Sequence, residues 1–229
     1  TRGTGNYITA LLDAFEISSN KDYLTSVEAI IHDTIHPSDD IKARDLLNAE
    51  IAWSYLILLT SIIRYINTKL HLQEFDKPFF YAKDSFLHYA NWIKDNEKPF
   101  LDQAERLDYP NDTWLAQDIR KAMLLYQAGW LCSDPKIAAD FAQSADSWLV
   151  ETTQALQKSD TLHFARIQII LMQNYGPQLG KPNLYQRLPE TPELTYSQVP
   201  APSLRTELKA IIKKIWQGMR HFNPKKELR

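Results

Sequence analysis

The sequence predicts an all-α protein built as an array of antiparallel helical hairpins, and three observations lead there. Apolar residues recur at helical spacing over seven segments, almost nothing alternates as a strand does, and one kind of turn returns every 55 to 58 residues. The segments are Tyr7–Ile17, Tyr23–Ile35, Ala43–Leu70, Phe79–Ile93, Trp114–Leu131, Ile137–Leu156 and Leu162–Tyr175. Ala43–Leu70, Trp114–Leu131 and Leu162–Met172 are apolar nearly all round, which predicts helices buried on most sides. Tyr23–Ile35 and Ile137–Leu156 keep a polar face and are expected outside them.

The turns Ser19–Leu24, Phe75–Phe79 and Cys132–Lys136 each close an inner helix and open an outer one. Asp or Asn ahead of Pro or Lys supplies an N-cap and a good first-turn residue. Each repeat is thus one hairpin plus its connection.

At 229 residues the chain can bury one large core, or one core and an appendage. The net charge of -2 hides a split: residues 204–229 hold eight Lys/Arg against two Asp/Glu, leaving -8 for residues 1–203. That acidic body argues against nucleic-acid binding. Cys132 is alone, so no intrachain disulfide forms, and a buried small hydrophobe is favoured over a reactive thiol. One cysteine does not separate cytoplasm from periplasm. The apolar stretch Ile51–Ile63 is too short to span a bilayer and suits a buried helix. A start at Thr1-Arg2 without methionine reads as a fragment of a longer protein.

Three knots of polar and aromatic residues open the inner helices. They are Arg2 to Asn6, His36 to Asp45, and Tyr109 to Arg120. Two of only six glycines, Gly3 and Gly5, fall in the first, which predicts an unusual turn there. If the inner helices run parallel, their N-termini gather at one mouth and favour an anion. Arg2, Arg44, Arg120 and Arg166 then point to a ligand bearing carboxylate or sulfate.

Asn6, Asp40, Asp45 and Gln117 are candidate polar contacts, and Trp53 and Trp114 are candidate platforms for the apolar faces of sugar rings. Trp114, Gln117 and Asp118 fall on one face by spacing, with Asp112 or Thr113 as the cap. Hydrolysis of a glycoside requires two facing carboxylates, for which Asp39, Asp40, Asp112 and Asp118 are available; elimination from a uronate would draw on Asn6, Arg44, Arg120, His36 and Tyr109. Each residue taken singly also has a plainer use as a cap or ion-pair partner, as for Asp40, Asp112 and Asp160. His32 and His36 lie four apart without a third ligand, so no metal is expected, and no cofactor motif occurs.

The alternation of inner and outer helices, with turns such as Ile17 to Leu24, resembles the (α/α) toroids of carbohydrate-active proteins. These include six-hairpin glycosidases, polysaccharide lyases with an incomplete toroid, and N-acylglucosamine epimerases. The resemblance covers residues 1–176, about three and a half hairpins, and implies an incomplete toroid acting on or binding an acidic bacterial polysaccharide. It lies in architecture, and no catalytic residue is carried over. A non-catalytic helical scaffold or protein-interaction domain is the alternative.

Residues 177–203 hold six of the twelve prolines and read as an extended linker, lying over the surface or hanging free. Beyond it, Leu208, Ile211, Ile212, Ile215, Trp216 and Met219 form the apolar stripe of a basic amphipathic helix. It is expected to dock on the acidic body in preference to a membrane surface.

Overall fold

Short capped turns fold the chain into three antiparallel helix pairs. In the computed structural model, which describes residues 2–196, helices α1 (Arg2–Ser18) and α2 (Asp22–Thr34) form the first pair. A 3-10 turn (Ile41–Arg44) and the short α3 (Ala49–Ala52) lead to α4 (Tyr55–Leu72) and α5 (Lys77–Asn96), the second pair. A second 3-10 stretch (Phe100–Arg106) precedes the third pair, α6 (Thr113–Leu131) and α7 (Pro135–Gln157). Helix α8 (Ala165–Asn174) follows unpaired, and two more 3-10 turns lie at Pro177–Leu179 and Asn183–Arg187. The described residues contain no strand, as the sequence predicts.

The caps act as their residue types require. Asp76 accepts the Phe79 N–H at the start of α5, and Asp134 accepts those of Lys136 and Ile137 at the start of α7. Gln73 takes the left-handed conformation (φ 58°) that ends α4, so the Glu74 N–H reaches back to the Lys69 carbonyl. Around that turn the Lys69 ammonium, almost fully buried, meets Asp76 at 2.6 Å, Glu74 at 2.9 Å and Glu28 at 3.3 Å. One cation thereby ties α2 to the α4–α5 turn.

Helices α4 and α6 form the centre. Helix α4 packs on α1, α5 and α6, while α6 packs on α4, α5, α7 and α8. Residues 49–72 are long and apolar enough to cross a membrane by length and composition, yet more than half of that window is buried inside the protein. Here it serves as a core helix.

Three expectations are corrected. Residues 43–70 are not one helix: the chain is left-handed at Asp45 and turns again at Trp53-Ser54, so α4 begins only at Tyr55. Nor is α8 a central helix, because it buries only Ile167, Ile170 and Asn174 and leaves Ile169 and Met172 exposed.

Gly3 and Gly5 make no turn; both lie within α1. A Cβ on Gly5 would stand 3.0 Å from the Leu58 nitrogen and 3.1 Å from the Ile57 carbonyl, so this glycine lets α1 cross α4 closely. The Ser61 hydroxyl donates to the Gly5 carbonyl at the same crossing (2.8 Å).

Of the two courses expected for the proline-rich segment, residues 177–196 take the first and lie over the surface, in the same compact unit as the helices. The Tyr185 hydroxyl donates to Asn67, the Lys83 ammonium to the Thr191 hydroxyl, and the Tyr196 hydroxyl to Asp84. This covering helps to bury Tyr81 and Lys83 of α5, the Tyr196 ring lying edge-on to Tyr81. The amphipathic stripe of residues 204–222 lies outside the described residues.

Candidate functional site

The first and third knots meet, and the second lies apart from them. A cleft of about 560 Å³ is lined by Arg2 and Asn6 of α1, Trp53 just after α3, Ile57 in the first turn of α4, Gln117 and Arg120 of α6, and Arg166, Ile169, Ile170 and Gln173 of α8. Helices α1, α4 and α6 present their N-terminal halves, as α8 does through Arg166 and Ile169 but not through Ile170 and Gln173, so the helix dipoles favour an anion at the cleft. The lining carries three arginines and no carboxylate.

Arg120 is the most constrained of the three. Only 8% of it is exposed, and its Nε donates to Gln117 Oε1 at 2.8 Å while Nη1 donates to Asn174 Oδ1 at 2.9 Å. Both partners are neutral amides, and the guanidinium forms no ion pair among the described residues. Burial pulls its pKa down to about 10, leaving it a cation at neutral pH. Arg2 lies with its guanidinium 5.9 Å from the centroid of the Trp53 ring. Neither Arg2 nor Arg166 has a carboxylate partner among the described residues.

Asp118 does not face this cleft, contrary to its predicted place beside Gln117. It is 2% exposed and pairs with Lys121 across one helical turn, Oδ1 to Nζ 2.8 Å. Its Oδ2 accepts the Phe100 N–H at 3.2 Å. Lys121, fully buried, also meets Glu97 at 2.9 Å and donates to the Lys98 carbonyl at 2.6 Å. The Tyr55 hydroxyl donates to the other Glu97 oxygen at 2.6 Å, and the Phe100 ring centroid lies 3.7 Å from the ammonium. One buried cation therefore serves two buried carboxylates. Burial raises the Asp118 pKa to about 6, against the opposing pull of Lys121 and of the Phe100 N–H.

Asp112 is likewise engaged elsewhere. It caps nothing; the Asn111 side chain accepts the Thr113 N–H instead, at 3.0 Å. Asp112 Oδ2 accepts from the hydroxyls of Ser159 (2.5 Å) and Thr161 (3.1 Å), which clasps the loop leading into α8 against the start of α6. Asp160 caps no helix either, since α8 opens at Ala165 behind Phe164. Tyr109 is 81% exposed and its carbonyl accepts the Trp114 indole N–H at 3.2 Å. Trp114 packs edge-on against Trp53 and Phe100 and does not line the cleft.

The second knot closes on itself. Asp39 Oδ2 accepts from the His36 N–H (2.8 Å) and the Tyr89 hydroxyl (2.7 Å) and pairs with Arg44 Nη2 (2.8 Å). Arg44 Nη1 donates to the Thr34 carbonyl at 2.9 Å. Asp40 caps the 3-10 turn through the Ala43 N–H, and Asp45 accepts from Asn48. His36 Nδ1 accepts the Ser38 N–H, and its ring meets Tyr81 and Tyr196 edge-on. None of His36, Asp40, Arg44 and Asp45 lines the arginine cleft, which corrects their expected convergence with Arg2 and Arg120.

Sequence reasoning missed Ile57, Ile169, Ile170 and Gln173 on the cleft wall and Asn174 behind Arg120; residues 162–172 read as buried on most sides, which hides the two isoleucines of α8. Asn174 has no local signal at all, since its role depends on a partner 54 residues away. Among the described residues no group of three or more His, Cys, Asp or Glu is placed to hold a metal. His32 stacks on Tyr81 at 5.0 Å. No family model matches this chain, and neither a curated protein nor a solved structure does.

Proposed function

We propose that the cleft between α1, α4, α6 and α8 binds an acidic saccharide, a uronate or sulfate group seated against Arg120 between Arg2 and Arg166. The observation that carries this is the state of Arg120: a cation held almost out of solvent by two neutral amides. Burying a charge without a counter-charge costs several kcal/mol, and a carboxylate in place of Gln117 or Asn174 would remove that cost. With Nε and one side of Nη1 engaged, its remaining N–H groups are left to form a bidentate fork suited to carboxylate or sulfate. Trp53 on the cleft wall offers a ring face to the apolar side of a sugar. The volume suits one or two sugar residues.

The reading is of binding, and hydrolysis has little support. Two facing carboxylates are required for it, whereas the lining has none and Asp112 and Asp118 are committed to Ser159 and Lys121. Three hairpins followed by α8, with their N-terminal halves around one cleft, support an incomplete (α/α) toroid. The second knot favours the scaffold reading for its own residues, because Asp39, Asp40, Arg44 and Asp45 each have an internal partner.

Screening the intact protein against uronate-bearing, sulfated and neutral oligosaccharides tests the proposal. Uronate or sulfated ligands should bind and neutral ones should not, with affinity falling as salt rises. Arg120→Ala should weaken binding about 10- to 100-fold, the loss of a charge-assisted hydrogen-bond pair. Absence of binding to every acidic glycan, with folded protein, would refute the cleft's assignment.

A further inference from the structure

On the other face of the segment that opens α4 lies a second pocket, of about 450 Å³. Its wall is made of Leu46, Ile51, Leu58 and other aliphatic side chains, with Tyr55, Tyr89 and Arg44. Trp53 and Ile57 turn toward the arginine cleft while Ile51, Ala52, Tyr55 and Leu58 turn toward this pocket. The two spaces are thus separate in lining and opposite in chemistry.

The polar groups of this pocket are already used. The Tyr55 hydroxyl donates to Glu97 at 2.6 Å and the Tyr89 hydroxyl to Asp39 at 2.7 Å, so neither has a proton left to donate to a ligand, and the Arg44 guanidinium stands 5.7 Å from the Tyr89 ring centroid. The charge of Arg44 is answered by Asp39 at 2.8 Å, and one amino group donates to the Thr34 carbonyl. A ligand carboxylate on the spare N–H groups would stand beside the Asp39 carboxylate on the same guanidinium and be repelled by it, and Asp39 is held in place by the His36 N–H and the Tyr89 hydroxyl. A ligand ammonium would meet the guanidinium. Both charge signs are therefore disfavoured, while the spare N–H groups of Arg44 suit one neutral acceptor. Ile51 stands at the wall 78% exposed, apolar surface that a ligand would cover.

We propose that this pocket binds an uncharged aliphatic molecule, an alkyl or acyl chain with one hydroxyl or carbonyl oxygen directed to Arg44. The inference is independent of the saccharide reading and of Arg120.

Calorimetric titration of the intact protein with hexanol, heptanol and octanol tests it. One saturable site is expected, tightening about fourfold per methylene, the factor for transferring one CH2 from water. Octanoate and octylamine should bind at least about tenfold more weakly than octanol, since either charge disturbs the Arg44–Asp39 pair. Ala52→Phe should fill the pocket and abolish binding. Ile51→Ser, at an exposed position that leaves the melting temperature unchanged, should weaken octanol several-fold. No saturable alcohol binding, or octanoate binding as tightly as octanol, would overturn the proposal. So would self-association abolished by Ile51→Asp in a protein that binds no alcohol, which would give the pocket to a second copy.

Discussion

Replacing Asp118 by Asn should change how stability depends on pH. In the folded protein burial holds the Asp118 pKa at about 6, against 3.8 for the free side chain. The native state therefore binds more protons at this site than the unfolded state between those values. Stability falls as pH rises through that window, because ionised Asp118 is penalised in the core and not in the unfolded chain. A difference of about two pK units corresponds to about 3 kcal/mol, of which about 2 kcal/mol is lost between pH 4 and pH 7. Asparagine cannot ionise and can still accept the Phe100 N–H through its amide oxygen. Urea denaturation of both proteins from pH 4 to pH 7 measures the effect, all other groups titrating alike. The variant's stability relative to wild type should rise by about 2 kcal/mol over that range, whatever its offset at pH 4. Parallel pH profiles would show that Lys121 fully compensates Asp118, and that burial does not dominate its energetics.

Lys121→Met should be far more damaging, since it strands Glu97 and Asp118 in the core; about 3–5 kcal/mol of stability should be lost at neutral pH, read by urea denaturation, and less in acid. Gly5→Leu should cost at least about 1–3 kcal/mol, because its Cβ meets α4 backbone that cannot rotate away. Gly3→Leu is the control: no atom lies within 4 Å of its Cβ, and a better helix former there should raise the melting temperature or leave it unchanged. Asp134→Ala should lower stability by about 1 kcal/mol through loss of the cap on α7, measured by thermal unfolding.

What the sequence alone determined is what depends on neighbours in the chain. Helical periodicity placed seven of the eight α-helices among the described residues, and Asp76 and Asp134 announced their caps because a cap acts on N–H groups two or three residues away. The hairpin turns and the polar faces of α2 and α7 follow from the same short-range rules. Long-range packing decided the rest. Arg44 and Arg120 read alike along the chain, each beside an Asp in a polar knot. Folding gives the first Asp39 as a counter-charge and the second only Gln117 and Asn174. Asp118 and Gln117 share a predicted helix face, yet one turn of α6 divides them between a lysine-centred core and an open cleft. The apolar content of residues 162–172 signals burial, but composition does not specify whether a neighbouring helix arrives to cover it. Gly5 likewise reads as a turn until α4, more than fifty residues away, crosses within contact distance. Local hydrogen bonds carry their partner's position in the sequence; charge pairing and burial do not, since they depend on which distant surfaces the fold brings together.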